Sequence, residues 1–222
     1  MNPPESIGGV FTSSHTNQAR RMTPRQIKEL EVFPVYALMG MSTRQDIFGV
    51  IADRCKDGMN FVEVGIFTGG SFCFLGNELK KRNKRVTMHA VDNFLFENIS
   101  QESENDVVEA HGEEWRGRFY DLFLHNLKTH GLTEMTKIHA MDSIETSKKF
   151  EDNSIDFIHF DGNHNMDYVR DEIFAWQPKL KKDSVIAGHD YNALRPVIDS
   201  IFGNDLIVIN KESYVVKLGN GI

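Results

Sequence analysis

The sequence predicts an α/β fold: a mostly parallel sheet of seven strands, with one antiparallel strand near its edge and helices on both faces. Short apolar runs alternate with helical stripes along the chain, which is the pattern of successive β-α-β units. A glycine-rich turn follows the first apolar run and opens at once into a helix, as in folds that bind a ligand at the carboxyl end of a parallel strand. The last two runs, residues 206–209 and 214–218, are joined too tightly for a parallel crossover and are expected to pair antiparallel.

The composition predicts one α/β domain and disfavours several partners. The chain has 222 residues, with 25 Lys and Arg against 32 Asp and Glu, so its net charge is −7. The basic run 80–85 is interpreted as the solvated end of a helix, so no nucleic-acid partner is expected. Cys55 and Cys73 make neither a disulfide framework nor a metal knuckle. Because no signal peptide and no run of membrane-span length is present, a cytoplasmic protein without membrane contact is expected.

Three segments lie outside the regular pattern. Residues 1–23 are polar and are expected to form a flexible N-terminal arm, followed by a single domain over residues 24–222. Residues 33–41 are apolar but irregular and are interpreted as part of a lid or of a contact in a homo-oligomer. Residues 94–114 are acidic and long for a connection, so they are interpreted as a lid-like insertion on the substrate side or, alternatively, as solvated decoration.

Helices are predicted where apolar residues recur at helical spacing. They are a helix from Ser42 to about Gly58 with Ile47, Phe48 and Ile51 inward; one with Phe72, Leu75 and Leu79 inward; one with Trp115, Phe119, Leu122, Phe123 and Leu127 inward, ended by Gly131; one with Val169, Ile173 and Trp176 inward, ended near Pro178; and a short one over Pro196–Phe202 ended by Gly203. Cys73 is expected to be a small packing residue in the second of these.

The centre of the predicted site is the stretch 61–71, which reads Phe-Val-Glu-Val-Gly-Ile-Phe-Thr-Gly-Gly-Ser. Gly65, Gly69 and Gly70 remove side chains from the turn, so backbone N–H groups can approach a ligand closely. The spacing matches neither the dinucleotide fingerprint nor a phosphate-binding loop, and Glu63 would repel a pyrophosphate. A carboxylate there favours a cationic ligand, and S-adenosylmethionine carries an ammonium and a sulfonium but no phosphate.

The same stretch resembles the first motif of the class I S-adenosylmethionine-dependent methyltransferases. The resemblance implies a Rossmann-like methyltransferase fold and cofactor contacts among six residues of the motif, which are Glu63, Gly65, Thr68, Gly69, Gly70 and Ser71. The alternative is that Glu63 only pairs locally and that the glycines only pack the helix against the strand.

Acids also end the second and third predicted strands. Residues 86–92 end in Asp92, roughly 20 residues after the glycine turn, which is the interval at which an acid binds a ribose in dinucleotide folds. Asn93 beside it is included in the predicted cofactor site. The third strand ends in Asp142 and Ser143; the resemblance implies that Asp142 accepts a hydrogen bond from the adenine amino group and that the neighbouring backbone reads the ring. From the residues alone, this pair is equally typical of a helix N-cap.

Polar residues follow the fourth and fifth predicted strands, residues 155–161 and 183–191. Because parallel neighbours end at one edge of a sheet, Asp161, His164, His189 and Asp190 are expected to converge beside the cofactor pocket. His164 is predicted as the general base, since an imidazole exchanges protons near neutral pH. Asp161 is predicted as a second catalytic residue and a cofactor contact. His159, inside the fourth strand, is expected to be a packed core histidine.

The chain from about Phe61 to Tyr191 resembles a methyltransferase subfamily often found in sugar and natural-product clusters. The resemblance rests on Asp161-Gly-Asn-His164, Tyr168, Val169, Asp171, Trp176, Leu180 and Gly188-His-Asp-Tyr191, and departs from the subfamily at Asn163 and at Lys182-Asp-Ser184. It implies methyl transfer to a hydroxyl of a sugar or another small molecule.

The resemblance also implies a divalent cation, Mg²⁺ or Mn²⁺, held by Asp161, His189 and Asp190. Mg²⁺ prefers oxygen ligands, so the histidine in this set favours Mn²⁺, Fe²⁺ or Zn²⁺. The alternative is that His189 and Asp190 pair with each other and orient the loop.

Other functions compatible with the pocket are an N-methyltransferase, a metal-dependent hydroxylase-like relative that keeps the cofactor pocket, and a non-catalytic protein that binds S-adenosylmethionine or a nucleotide. A nicotinamide dehydrogenase is disfavoured by the spacing of the glycines.

Overall fold

The computed structural model describes residues 44–95, 100–209 and 212–217, and these residues form a seven-stranded sheet in the order β3-β2-β1-β4-β5-β7-β6. The strands are β1 Asn60–Val64, β2 Thr87–Asp92, β3 Thr136–Ala140, β4 Ile155–Phe160, β5 Leu180–Gly188, β6 Leu206–Val208 and β7 Tyr214–Lys217. Strands β1 to β5 pair in parallel, and β7 runs antiparallel to both β5 and β6. The predicted sheet, with one reversed strand near its edge, is confirmed.

Seven α-helices occur in the described residues: α1 Arg44–Arg54, α2 Gly70–Lys81, α3 Gln101–His111, α4 Phe119–Thr129, α5 Ser143–Ser147, α6 Met166–Trp176 and α7 Tyr191–Phe202. The predicted N-terminal arm, the apolar stretch 33–41 and the proposed cap at Ser42 lie outside the described residues. None of the described helices combines the length and the apolar character needed to cross a membrane.

Successive residues of the central strands face two different apolar cores. Phe61, Met88 and Phe157 belong to one core, with α1, α2 and α4, while Val62 and Ile158 belong to the other, with α6 and α7. Because side chains alternate across a strand, the two cores lie on opposite faces of the sheet. The central strands are therefore buried on both sides, as their near-continuous apolar sequence predicts.

The inward-facing residues predicted for the helices are buried, with one exception. Trp115 is half-buried and does not belong to α4; it ends a separate 3₁₀ turn, Glu113–Trp115. Gly117, at φ +67°, separates this turn from the helix. The prediction of one continuous stripe was therefore wrong at its first residue, because a left-handed glycine interrupts the helical backbone there. Cys73 is buried in α2, as predicted.

Helix α7 starts at Tyr191, five residues before the predicted start at Pro196. Proline is common in the first turn of a helix, which is why the sequence favoured a start there. In the structure Pro196 lies inside the helix. The helix extends past it because Tyr191 and Leu194 are buried in the core beside β7, and this burial offsets the loss of one backbone hydrogen bond.

The acidic segment 94–114 contains helix α3 in its described part. The Ser100 hydroxyl caps the helix by accepting a hydrogen bond from Ser103 N over 3.1 Å. Val107 is buried against Phe119 and Leu122 of α4. The Phe94 ring also packs against Tyr120 and Phe123 of α4, so both ends of the described segment contact this helix, while most of the acids of the segment face solvent. Its role as a lid stays a prediction.

Candidate active site

A cleft of about 350 Å³ opens at the carboxyl ends of β1, β2 and β4. Its walls come from the turn after β1, the end of β2, the start of α5, the turn after β4 and helix α6. The lining residues are Val64, Gly65, Ile66, Phe67, Val91, Asp92, Asn93, Leu95, Asp142, Ser143, Asp161, Gly162, Asn163, Tyr168 and Glu172. The cleft thus lies where the sequence predicted the cofactor pocket.

Gly65 brings two walls of the cleft into contact. Its backbone has φ +83°, and a Cβ at this position would collide with the backbone of Asp161 and Gly162. The turn after β4 is held close by the backbone N–H of Asp161, which donates to Val64 O over 2.8 Å. Only glycine combines this backbone conformation with so close an approach.

Asp92 organises the turn after β1 while lining the cleft. Its Oδ2 accepts hydrogen bonds from Ile66 N over 2.8 Å and from Phe67 N over 3.2 Å, and its Oδ1 accepts from Phe94 N over 2.8 Å. Oδ1 accepts only one of these hydrogen bonds, so its second lone pair can still accept a ligand hydroxyl. Asn93 also lines the cleft, and its role and the ribose role of Asp92 stay predictions.

Five residues of the predicted cofactor motif are absent from the described cleft lining: Glu63, Thr68, Gly69, Gly70 and Ser71. Glu63 is only 3% exposed and accepts a hydrogen bond from the Ser71 hydroxyl. It shares a face of β1 with Phe61, which is the face that α1 and α2 cover. Glu63 therefore pairs locally in this structure, and its predicted contact with the cofactor stays untested.

The other residues of this group shape the start of α2. Gly69, at φ +81°, is its N-cap, and a Cβ there would collide with the Phe123 ring. The carbonyl oxygen of Thr68 accepts a hydrogen bond from Asn126 Nδ2 over 2.9 Å. Gly70 is exposed and has open space where a side chain would lie. These residues pack the helix and the turn in the structure, and their predicted contact with the cofactor stays untested.

Asp142, Ser143, Tyr168 and Glu172 form what we call the α5 end of the cleft. Asp142 is the N-cap of α5: its Oδ1 accepts from Glu145 N over 3.0 Å, and its Oδ2 accepts from the Tyr168 hydroxyl over 2.6 Å. The N-cap interpretation is confirmed for Asp142. Asp142 also lines the cleft, and its predicted role as acceptor for the adenine amino group stays a prediction.

The acid of α6 that reaches the cleft is Glu172, which sequence reasoning missed. The neighbouring Asp171, which carried part of the family resemblance, is exposed and pairs with Arg170 Nε over 3.2 Å. A signal for Glu172 was present, because it lies three residues after Val169 and four before Trp176, within the buried stripe of the helix. Burial raises the pKa of Glu172 to about 7; a hydrogen bond from Ser143 lowers this pKa, and the charge of Asp142 raises it.

Four polar side chains converge at the ends of β4 and β5, as predicted. His164 Nε2 lies 2.8 Å from Asp190 Oδ2, and 61% of the His164 side chain is exposed. His189 Nδ1 lies 3.1 Å from Asp190 Oδ1 and 3.5 Å from Asp161 Oδ1. Hydrogen bonds from His189 and His164 hold the pKa of Asp190 well below its usual value, although burial opposes this shift. The Asp190 carboxyl is therefore ionised at neutral pH.

Asp161, His189 and Asp190 can each offer one ligand atom within 4.8 Å of the others. The alternative pairing of His189 with Asp190 is also present, at 3.1 Å. A second group with the same spacing contains Glu63, His159 and Asp161. His159 is 1% exposed and packs edge-on against Phe48 at 5.1 Å, so its prediction as a packed core histidine is confirmed.

Comparisons with solved structures return the same fold at low sequence identity. The O-methyltransferase NovP has a TM-score of 0.57 and 14% identity, with 80% of each chain covered. The SAH-bound methyltransferase PaMTH1 of Podospora anserina has a TM-score of 0.54 and 13% identity, with 79% of each chain covered. An rRNA methylase from Streptococcus thermophilus has a TM-score of 0.51 and 14% identity, with 80% of this chain and 96% of that chain covered. At these identities the similarity establishes the fold alone.

The sequence comparison identifies the family. No curated protein matches the chain as a relative. A family described as a methyltransferase domain matches residues 62–191, which contain the glycine turn, the cleft and the convergent polar residues and make up more than half of the chain. The chain therefore belongs to the methyltransferase-domain family and has the fold of class I S-adenosylmethionine-dependent methyltransferases.

Proposed function

We propose that this protein transfers the methyl group of S-adenosylmethionine to a hydroxyl of a small molecule, such as a sugar or a natural product. The observation that carries the proposal is the pairing of His164 with Asp190 over 2.8 Å, beside the cleft-lining residues 161–163. An exposed imidazole held by an ionised carboxylate is suited to take a proton from a hydroxyl group. A hydroxyl acceptor requires such a base, since it loses its proton on methylation.

The cleft has the features that this cofactor requires. Asp92 offers its Oδ1 for a ribose hydroxyl, and Asp142 offers an acceptor for the adenine amino group. Gly65 has no Cβ, so the turn after β1 can lie directly against the backbone of Asp161 at the wall of the cleft. The SAH-bound PaMTH1 has the same fold, which supports this choice of cofactor.

Methyl transfer is an in-line displacement in which the acceptor oxygen forms a bond to the methyl carbon as the carbon–sulfur bond breaks. The sulfur keeps the electron pair and S-adenosylhomocysteine leaves. Asp190 fixes the tautomer of His164, because Nε2–H donates to the carboxylate and leaves the Nδ1 lone pair free to accept the hydroxyl proton. Positioning of donor and acceptor in the cleft supplies much of the remaining acceleration.

Asp161, His189 and Asp190 fit a divalent cation, because two carboxylates and one imidazole converge within ligand distance of one another. This mixed set suits Mn²⁺, Fe²⁺ or Zn²⁺ better than Mg²⁺. When bound, such an ion would supply Lewis-acid activation of the acceptor hydroxyl.

A small-molecule acceptor is favoured over nucleic acid by charge. The net charge is −7, and exposed acids of α3 follow the cleft-lining residue Leu95 in the chain. A phosphate backbone would be repelled by such a surface. The sugar or natural-product class comes from the subfamily resemblance of residues 161–164 and 188–191.

Calorimetric titration with S-adenosylhomocysteine tests the cofactor, before and after chelator treatment and with added Mg²⁺ or Mn²⁺. Methyl transfer to panels of hydroxylated and amine acceptors then tests the reaction. Binding followed by transfer to hydroxyls supports the proposal. Transfer to amines alone would identify an N-methyltransferase, and binding without any turnover would favour a non-catalytic sensor. Tighter binding of NAD than of S-adenosylhomocysteine would contradict the proposed cofactor.

A further inference from the structure

Glu172 is a buried acid that the proposed reaction does not use. It lies in the middle of α6 with 2% of its surface exposed, yet it lines the α5 end of the cleft. Glutamate is almost never buried to this extent unless it is paired. The adjacent acid on the same helix, Asp171, faces solvent. The burial of Glu172 beside a ligand cleft therefore indicates a role there.

Side chains of α6 fix the first turn of α5. The Trp176 indole donates to Ser143 Oγ over 2.8 Å, and the Ser143 hydroxyl in turn donates to the Glu172 carboxyl. The Tyr168 hydroxyl donates to Asp142 Oδ2 over 2.6 Å. Glu172 thus accepts the hydrogen bond that holds Ser143, directly beside the acid that faces the expected adenine amino group.

The titratable groups that face Glu172 are acids and phenols. Asp142 faces it from the N-terminus of α5, Tyr168 from α6 and Tyr214 from β7. Because the pKa of Glu172 is raised to about 7, mainly by burial, the carboxyl is partly protonated at neutral pH. A ligand that excludes water from this end of the cleft would further disfavour its charged form.

We propose that Glu172 positions the adenine end of the cofactor as a neutral carboxylic acid, so that cofactor binding near neutral pH is coupled to proton uptake. The inference rests on the proposed function, because it takes the α5 end of the cleft as the adenine site. An adenine ring against Asp142 and Ser143 displaces water and brings no positive charge. The neutral form of Glu172 removes its repulsion with Asp142, whose carboxyl accepts from the amino group.

The sign of the pH dependence follows from this coupling. The proton is held more tightly in the complex than in the free protein, so the complex binds more protons whenever the pH lies between the two pKa values. Affinity is therefore highest below the pKa of Glu172 in the free protein and falls as the pH rises through it.

The test is calorimetric titration of the full chain with S-adenosylhomocysteine, using Glu172→Gln as an isosteric variant that cannot ionise. The ratio of wild-type affinity to variant affinity is expected to fall roughly three- to tenfold between about pH 6 and pH 8. Taking this ratio cancels the ionisation of the ligand and of other residues. Asp171→Asn, the exposed neighbour, is the matched control and should follow the wild type.

A wild-type profile parallel to that of Glu172→Gln would overturn the inference while leaving the proposed function intact. Should this variant not fold, the wild type alone decides: titration in two buffers of different ionisation enthalpy, at about pH 7.5, must show net proton uptake. Zero uptake would overturn the inference. A folded wild type that does not bind S-adenosylhomocysteine under any condition would overturn the proposed function, and the inference with it.

Discussion

The acid at the end of β2 and the acid at the end of β5 are held by different kinds of partner. Asp92 accepts hydrogen bonds from three backbone N–H groups. Asp190 is held by the imidazoles of His164 and His189. Backbone donors neither change rotamer nor lose a proton, whereas imidazoles do both. On the β2 side of the cleft the acid is therefore held by fixed backbone geometry suited to binding, whereas on the β5 side it depends on imidazoles that can move and exchange protons.

The largest effect is expected from removing the exposed imidazole on the β5 side. His164→Ala should lower the rate of methyl transfer about 10²- to 10⁴-fold, because the acceptor hydroxyl loses its general base. S-adenosylhomocysteine affinity and the free energy of unfolding should stay close to wild type, since the side chain is 61% exposed. Single-turnover methyl transfer and calorimetry measure the two quantities. His125→Ala, an exposed imidazole on α4, is the control, and loss of cofactor binding in His164→Ala would contradict the division between the two sides.

A second variant tests the contact that Gly65 makes between the turn after β1 and the turn after β4. Gly65→Ala is expected to lower the free energy of unfolding by about 2–4 kcal/mol, because it forces a positive φ and pushes a Cβ into the backbone of Asp161. Urea denaturation measures this change. Gly70→Ala is the matched control: its Cβ enters open space in a helix, so it should be neutral or stabilising by up to about 1 kcal/mol. Equal stability of the two variants would contradict the contact between the walls.

The backbone-held acid gives the third test. Asp92→Ala should lower the free energy of unfolding by about 2–3 kcal/mol and abolish S-adenosylhomocysteine binding, because three backbone N–H groups lose their acceptor. Denaturation and calorimetry on the same preparation separate the two effects. Asp152→Ala, an exposed acid paired with Lys179, should change neither quantity appreciably. Unaltered cofactor affinity in Asp92→Ala would show that the ribose does not depend on this carboxylate.

The smallest effect concerns the folding stability contributed by His89, a buried histidine of β2 that is not among the residues lining the cleft. His89 is 6% exposed, and its Nδ1 lies 3.0 Å from His139 Nε2. Burial, with the charges of His139 and Lys137, lowers the pKa of His89 to about 4. An unfolded histidine has a pKa of about 6.5, so the unfolded chain binds more protons between these values and stability is lost as the pH falls below about 6.5.

The free energy of unfolding should therefore drop by about 1–2 kcal/mol through His89 alone between about pH 7 and pH 5. Denaturation of His89→Phe at both pH values should show a drop smaller by this amount. His125→Phe, on the surface of α4, should keep the wild-type response. If His89→Phe lost as much stability as the wild type between the two pH values, the pH dependence would not come from His89.

The fold was predictable because its signals are local. The apolar run before Gly65 and the tight connection before β7 each limit the choices for their own segment, and parallel pairing then brings the strand ends to one edge. The convergence of His164 and Asp190 followed from that topology without any side-chain information. The prediction was wrong at Trp115, because Gly117 ends the 3₁₀ turn before α4 begins. It was also wrong at Pro196, because the buried Tyr191 extends α7 toward its N-terminus.

The order of the elements, the position of the cleft and the acids that end its strands follow from the amino-acid sequence. Which of these acids reach the cleft depends on how the elements pack. Glu63 pairs in register with Ala90, which lies two residues before Asp92 on the same face of the sheet, yet Glu63 is buried within β1, while Asp92 ends β2 and lines the cleft. Asp171 and Glu172 are adjacent, yet only Glu172 turns inward. Whether an acid reaches the cleft depends on how far its strand extends beside its neighbours and on the phase of its helix against the sheet, and both are set when the elements pack.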